Sequence, residues 1–124
     1  MDLAIGILLT VVGLGMIGFW VHHIASGGIP QGIRTLESEG FIAFHITVEL
    51  LTGILCMVGG LAVALALGWR LPVGLFASGM LAYTGINSLA WKEVRSKPEL
   101  SLMFIVPTVI AVMSGVYLII ALLD

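Results

Sequence analysis

The sequence predicts an all-α integral membrane protein, with four antiparallel transmembrane helices in a small bundle. Three observations predict it. Of the 124 residues, 60% are apolar and only 10% are charged, against about 45–50% and about 25% in soluble domains. Mean hydropathy is +1.18. The apolar residues also fall in four runs, each near the roughly 20 residues that a helix needs to cross a hydrocarbon core about 30 Å thick. So few charges cannot cover a soluble globule, which excludes an ordinary cytosolic enzyme and a disordered segment. Net charge is −2, with Lys and Arg scattered singly or in pairs, so no phosphate-tracking surface exists and nucleic acid is excluded as a partner. Cys56 is the single cysteine and allows no internal disulfide.

The first span is expected over residues 3–25. Asp2 stands where a signal peptide would carry basic residues, and the apolar run is too long for a signal core, so this span is read as retained. Residues 26–40 form the longest connection, rich in turn formers and containing Pro30. The second span covers residues 41–67, with Glu37 and Glu39 placed to complement its N-terminal dipole. A short turn with Trp69 and Arg70 leads to the third span, residues 72–91, where Pro72 suits a first helical turn. Residues 92–99 end in Ser96 and Glu99 at capping-box spacing, which predicts the start of the fourth span at residues 102–123. The chain is thus one four-span membrane domain over residues 1–124, with no room for a soluble domain between spans. A bundle this small encloses little volume, so a homo-oligomer or a subunit of a larger membrane complex is expected in the lipid bilayer.

Orientation follows from Lys and Arg near the span ends. Arg34, Lys92, Arg95 and Lys97 lie on one side and only Arg70 on the other. Residues 26–40 and 92–99 are therefore expected to be cytoplasmic, with both termini outside and the plasma membrane as location. Trp20 and Trp91 would mark the inner interface and Trp69 the outer one.

Gly13, Gly15 and Gly18 spell G-x-G-x-x-G, a dinucleotide fingerprint that works only between a strand and a helix. In mid-span the reading is false. Gly15 and Gly18 instead suggest a face where a neighbouring helix comes close.

Polar residues at membrane depth carry the functional signal. His45, Glu49, Thr52 and Cys56 are spaced i, i+4, i+7 and i+11, which puts them on one helical face. A carboxylate in hydrocarbon costs about 2.5–3.5 kcal/mol on insertion scales, so this face is expected inside the bundle. Glu49 lies about 12 Å beyond the start of its span at about 1.5 Å per residue. His22, at the end of the first span, shares a face with Gly15 and Gly18 and is expected to point inward, with His23 nearer Phe19 and the headgroups. Tyr83 and Asn87 share a face of the third span at the same depth.

His22, His45 and Glu49 then form a candidate metal set, two imidazoles and a carboxylate, suited to zinc or iron. Tyr83 and Asn87 would orient these ligands through hydrogen bonds. Without a metal, Glu49 could load and release a proton. The function expected is small-solute or ion transport, or metal-dependent membrane chemistry, at a cytoplasm-side His/Glu site. A second reading takes His22 or His23 with His45 as axial ligands of a b-type haem in a quinone-linked respiratory subunit. A third takes the polar cluster as structural, in a subunit of a larger complex. Pro107 should free a backbone carbonyl near Met103 at this depth. No nucleophile–base pair stands out, so the residues indicate no catalytic set.

Overall fold

The structure, a computed structural model, describes residues 1–28, 39–90 and 92–124. Residues 29–38, with Arg34 and Glu37, and the belt residue Trp91 lie outside the described residues, as do the side chains of Glu39 and Lys92. The described residues are helical, with α1 over Asp2–Ala25, α2 over Glu39–Ala64 and α3 over Arg70–Leu89. A single turn, α4, covers Lys92–Arg95, and α5 covers Pro98–Leu123. Three of the four long helices, α1, α2 and α5, are long and apolar enough to cross a membrane. The third long helix, α3, has 20 residues but is less apolar, because it buries Gly74, Ser78, Thr84, Gly85 and Ser88 along one face.

The helix ends show how the chain turns. Past Ala64 the Leu67 amide donates to the Ala62 carbonyl and the Ala66 amide to the Val63 carbonyl, with Ala66 in the left-handed region at φ 52°. That is a Schellman cap made without glycine, and it stops α2 three residues short of the span expected. At the start of α5 the N-cap is Lys97, which makes no side-chain cap bond, with Pro98 in the first turn. The capping box expected from Ser96 and Glu99 is therefore corrected: proline starts the helix. Ser101 Oγ donates to the Val94 carbonyl at 2.9 Å and ties α5 to α4.

Successive long helices pack antiparallel, α1 on α2, α2 on α3 and α3 on α5, while α1 and α5 meet only sparsely. Leu9, Cys56, Val63, Ala77, Leu81, Ala111 and Leu118 make the shared core. In lipid there is no hydrophobic gain from bringing helices together, so close van der Waals approach between small residues must do it. The α1–α2 contact shows this. A Cβ on Gly60 would lie 2.5 Å from Thr10 Oγ1 and 2.7 Å from the Gly6 carbonyl oxygen, and one on Gly13 would lie 2.5 Å from the Gly53 carbonyl oxygen. The expectation that Gly15 and Gly18 form the packing face is corrected. Both are exposed, and a Cβ on either meets nothing within 4 Å. The buried stripe of α1 runs instead through Gly6, Gly13 and Trp20 at seven-residue spacing.

At the far end of the bundle Tyr117 OH donates to Asp2, and Arg70 Nε lies 3.3 Å from Asp2 Oδ2. These contacts pin the start of α1 to the start of α3 and the end of α5. Two glycine substitutions should therefore differ in sign. Gly60→Ala should destabilise the detergent-solubilised protein by about 1–3 kcal/mol through overpacking. Gly15→Ala should be neutral or stabilise by up to about 1 kcal/mol through helix propensity. Chemical unfolding followed by circular dichroism checks both.

Candidate functional site

Of the polar face read from α2, all four residues are buried, with His45 5% and Glu49 4% exposed and Thr52 and Cys56 fully covered. Two of the four turn away from any site. Thr52 Oγ1 donates to its own helix at the Val48 carbonyl, 2.8 Å away, and Cys56 Sγ lies 3.8 Å from the Ala77 carbonyl oxygen across the α2–α3 contact. His45 and Glu49 stay together, with His45 Nε2 3.4 Å from Glu49 Oε1.

Neighbouring helices supply the remaining partners of Glu49. Trp20 Nε1 donates to Glu49 Oε2 at 2.8 Å from α1, and Ser88 Oγ donates to Oε1 at 3.4 Å from α3. Trp20 is fully buried, and its indole stands edge-on to the His45 ring with centroids 6.0 Å apart. The expectation of an interfacial Trp20 is corrected on this point. Its position in register with Gly6 and Gly13 turns it into the bundle, where an indole N–H needs an acceptor. Trp69, by contrast, is exposed at the α2–α3 turn.

His22 is exposed, so it is not on the side of α1 that meets α2. The inward expectation for it failed because it depended on Gly15 and Gly18 as the packing face. His23 is half-buried, packs against Phe19 with ring centroids 4.4 Å apart, and its Nδ1 donates to the Gly28 carbonyl at 2.7 Å. The imidazole of His23 thus closes the C-terminal end of its own helix. Tyr83 is 64% exposed and does not orient His45 or Glu49. Asn87 is half-buried. The α3 residue that reaches Glu49 is Ser88, one position further on. Among the described residues no group of three or more His, Cys, Asp or Glu side chains converges, so His22 does not complete a set with His45 and Glu49.

Glu49 also lines a cavity of about 270 Å³ between α1, α3 and α5, with Val12, Gly15, Met16, Phe19, Leu81, Thr84, Gly85, Met103, Phe104 and Pro107. Glu49 is the one ionisable residue among these. The hydroxyl of Thr84 is spent on the Met80 and Leu81 carbonyls, 3.1 Å each. Pro107, inside α5, has no N–H to give to the Met103 carbonyl one turn back. The site is therefore a carboxylate at the end of a mostly apolar crevice, backed by an imidazole, an indole and a serine.

These features define the class: a small helical membrane protein with a buried carboxylate, Glu49, within an apolar helix long enough to span a membrane. Residues 1–124 match the family described as Domain of unknown function (DUF8058), and the chain belongs to that family. No curated protein and no solved structure matches it.

If the indole N–H satisfies Glu49, Trp20→Phe should destabilise the protein by about 1–3 kcal/mol, the cost of a buried acceptor losing its donor. Tyr83→Phe should stay within about 0.5 kcal/mol, since it alters an exposed side chain. Unfolding of the two variants in the same detergent measures the difference.

Proposed function

We propose that this protein handles a small solute within the membrane, with Glu49 as the residue that takes up and releases a proton or a small cation. One observation carries the reading. Glu49 is sealed from water inside the bundle yet forms part of the wall of a cavity. A carboxylate kept only to lock helices together needs hydrogen bonds but no cavity. Intramembrane acidic residues that face a cavity commonly mark ion and proton pathways. His45 is the second ionisable group of the site and sits where it can share the proton of Glu49. The Lys and Arg bias of the sequence supports a cytoplasmic position for this end of the bundle.

A structural role is the second reading, favoured by the bonds from Trp20 and Ser88 that join three helices at Glu49. The two readings part on access. N,N′-diisopropylcarbodiimide partitions into lipid and reacts with protonated carboxyl groups. It should modify Glu49 in membranes containing the full chain, more at low pH than at high, and should give no such product in Glu49→Gln. Peptide mass mapping would report the modified residue. A Glu49 that stays unmodified at every pH, while the exposed Glu99 reacts, sinks the transport reading and leaves the structural one.

The topology has its own check. A membrane-impermeant thiol reagent should label Glu99→Cys in inside-out vesicles and spare it in right-side-out ones. The reverse pattern would overturn the assigned orientation.

A further inference from the structure

The crevice that ends on Glu49 specifies the chemical class of its occupant. Its walls are apolar and aromatic, with Met16 and Phe19 from α1 and Phe104 and Pro107 from α5. The cavity reaches the surface at Gly15, where α1 and α5 meet only sparsely. On this side Gly15 is exposed, with nothing within 4 Å of where a Cβ would stand. Since α1 and α5 are both membrane-spanning by length and composition, the mouth faces lipid rather than water. Entry is therefore lateral, and a strongly hydrated ion is a poor candidate, because these walls offer few groups to replace its water shell.

Charge narrows the choice further. The single carboxylate has no Lys or Arg beside it among the lining residues. Trp20, Ser88 and His45 partner its oxygens, but none of them is a fixed positive charge. An anion or a neutral hydrocarbon would therefore leave the ionised form without a countercharge in a medium that penalises lone charge. A monocation removes the penalty and gains a charge-assisted hydrogen bond. The Phe19 and Phe104 rings in the same wall suit a cation near their faces. Volume sets the size. At about 30 Å³ for a water-sized group, a cavity of about 270 Å³ holds on the order of nine such groups.

We propose that the crevice between α1, α3 and α5 binds a small lipophilic monoamine drawn from the membrane, its ammonium pairing with Glu49 and its apolar body lying against Met16, Phe19 and Phe104. This rests on the reading of Glu49 as a functional site.

Benzylamine is a suitable probe, and benzyl alcohol is its uncharged match in shape. Calorimetry on the purified full chain in detergent should show benzylamine binding with one equivalent, and benzyl alcohol binding about tenfold or more weakly. Glu49→Gln should lose affinity for benzylamine by a similar factor. Gly15→Leu fills the mouth without touching the hydrogen bonds of Glu49. It should abolish binding while the melting temperature holds, which keeps the test sound if Glu49→Gln does not fold. Equal affinity for the amine and the alcohol, or undiminished binding in both variants, overturns the proposal. Carbodiimide labelling of the same preparation separates the two levels. Glu49 modified but no benzylamine bound ends this proposal alone, whereas neither modification nor binding ends the functional reading as well.

Discussion

Hydrocarbon offers Glu49 no water, so every bond its carboxylate makes must come from the protein. Much of the bundle follows from that constraint. The donor on α1 is Trp20 and the donor on α3 is Ser88, so three helices must be held in register at one depth. The α1–α2 register is set by backbone contact at Gly6 with Gly60 and at Gly13 with Gly53. Trp20 lies one further heptad along the same stripe, which carries its indole to the level of His45 and Glu49. The glycine contacts therefore do more than bring two helices close. They aim the hydrogen-bond donor that makes the buried carboxylate tolerable.

The lower apolarity of α3 has the same origin. Its buried face reads Gly74, Ala77 and Ser78, Leu81, Thr84 and Gly85, then Ser88, a three-and-four spacing of mostly small residues. Small side chains let α3 fit between α2 and α5, with Gly74 against Leu118 and Val63, and Gly85 against Thr108 and Phe104. These buried glycine and hydroxyl residues are what lowers the apolarity of α3 relative to the other three long helices.

Helix number, direction and approximate bounds were legible in the sequence, because about 20 apolar residues per crossing is a strong physical requirement. The inward polar face of α2 was legible too, since His45, Glu49, Thr52 and Cys56 repeat at helical period on a span where exposure to lipid is costly. What failed were choices between faces of a uniformly apolar helix. In α1, Gly15 and Gly18 were as plausible a packing stripe as Gly6 and Gly13, and the choice displaced His22 and Trp20 together. The seven-residue spacing of Gly6, Gly13 and Trp20 was the signal that separates them. On α3, Tyr83 and Asn87 drew attention by residue type, whereas the small-residue stripe pointed to Ser88. The cavity was not legible, because it depends on how α1, α3 and α5 sit against one another.

The sparse contact between α1 and α5 goes with an uneven distribution of polar contacts. At the end distant from Glu49, Asp2 gathers Arg70 and Tyr117, so α1, α3 and α5 are joined there. At the Glu49 end the bonds to the carboxylate run only among α1, α2 and α3, and none comes from α5 among the described residues. Where α5 passes Glu49 it instead presents Met103, Phe104 and Pro107, and the Thr108 hydroxyl turns back to the Phe104 carbonyl. At one end α5 is thus tied to α1 through Tyr117, while at the other its side-chain tie runs to α4 through Ser101 and not to α1, α2 or α3 among the described residues. The cavity lies at this second end, with Glu49 in its otherwise mostly apolar wall. The bonds to Glu49 all come from α1, α2 and α3, so the contacts that hold the carboxylate are distinct from the apolar α5 wall of the cavity it lines.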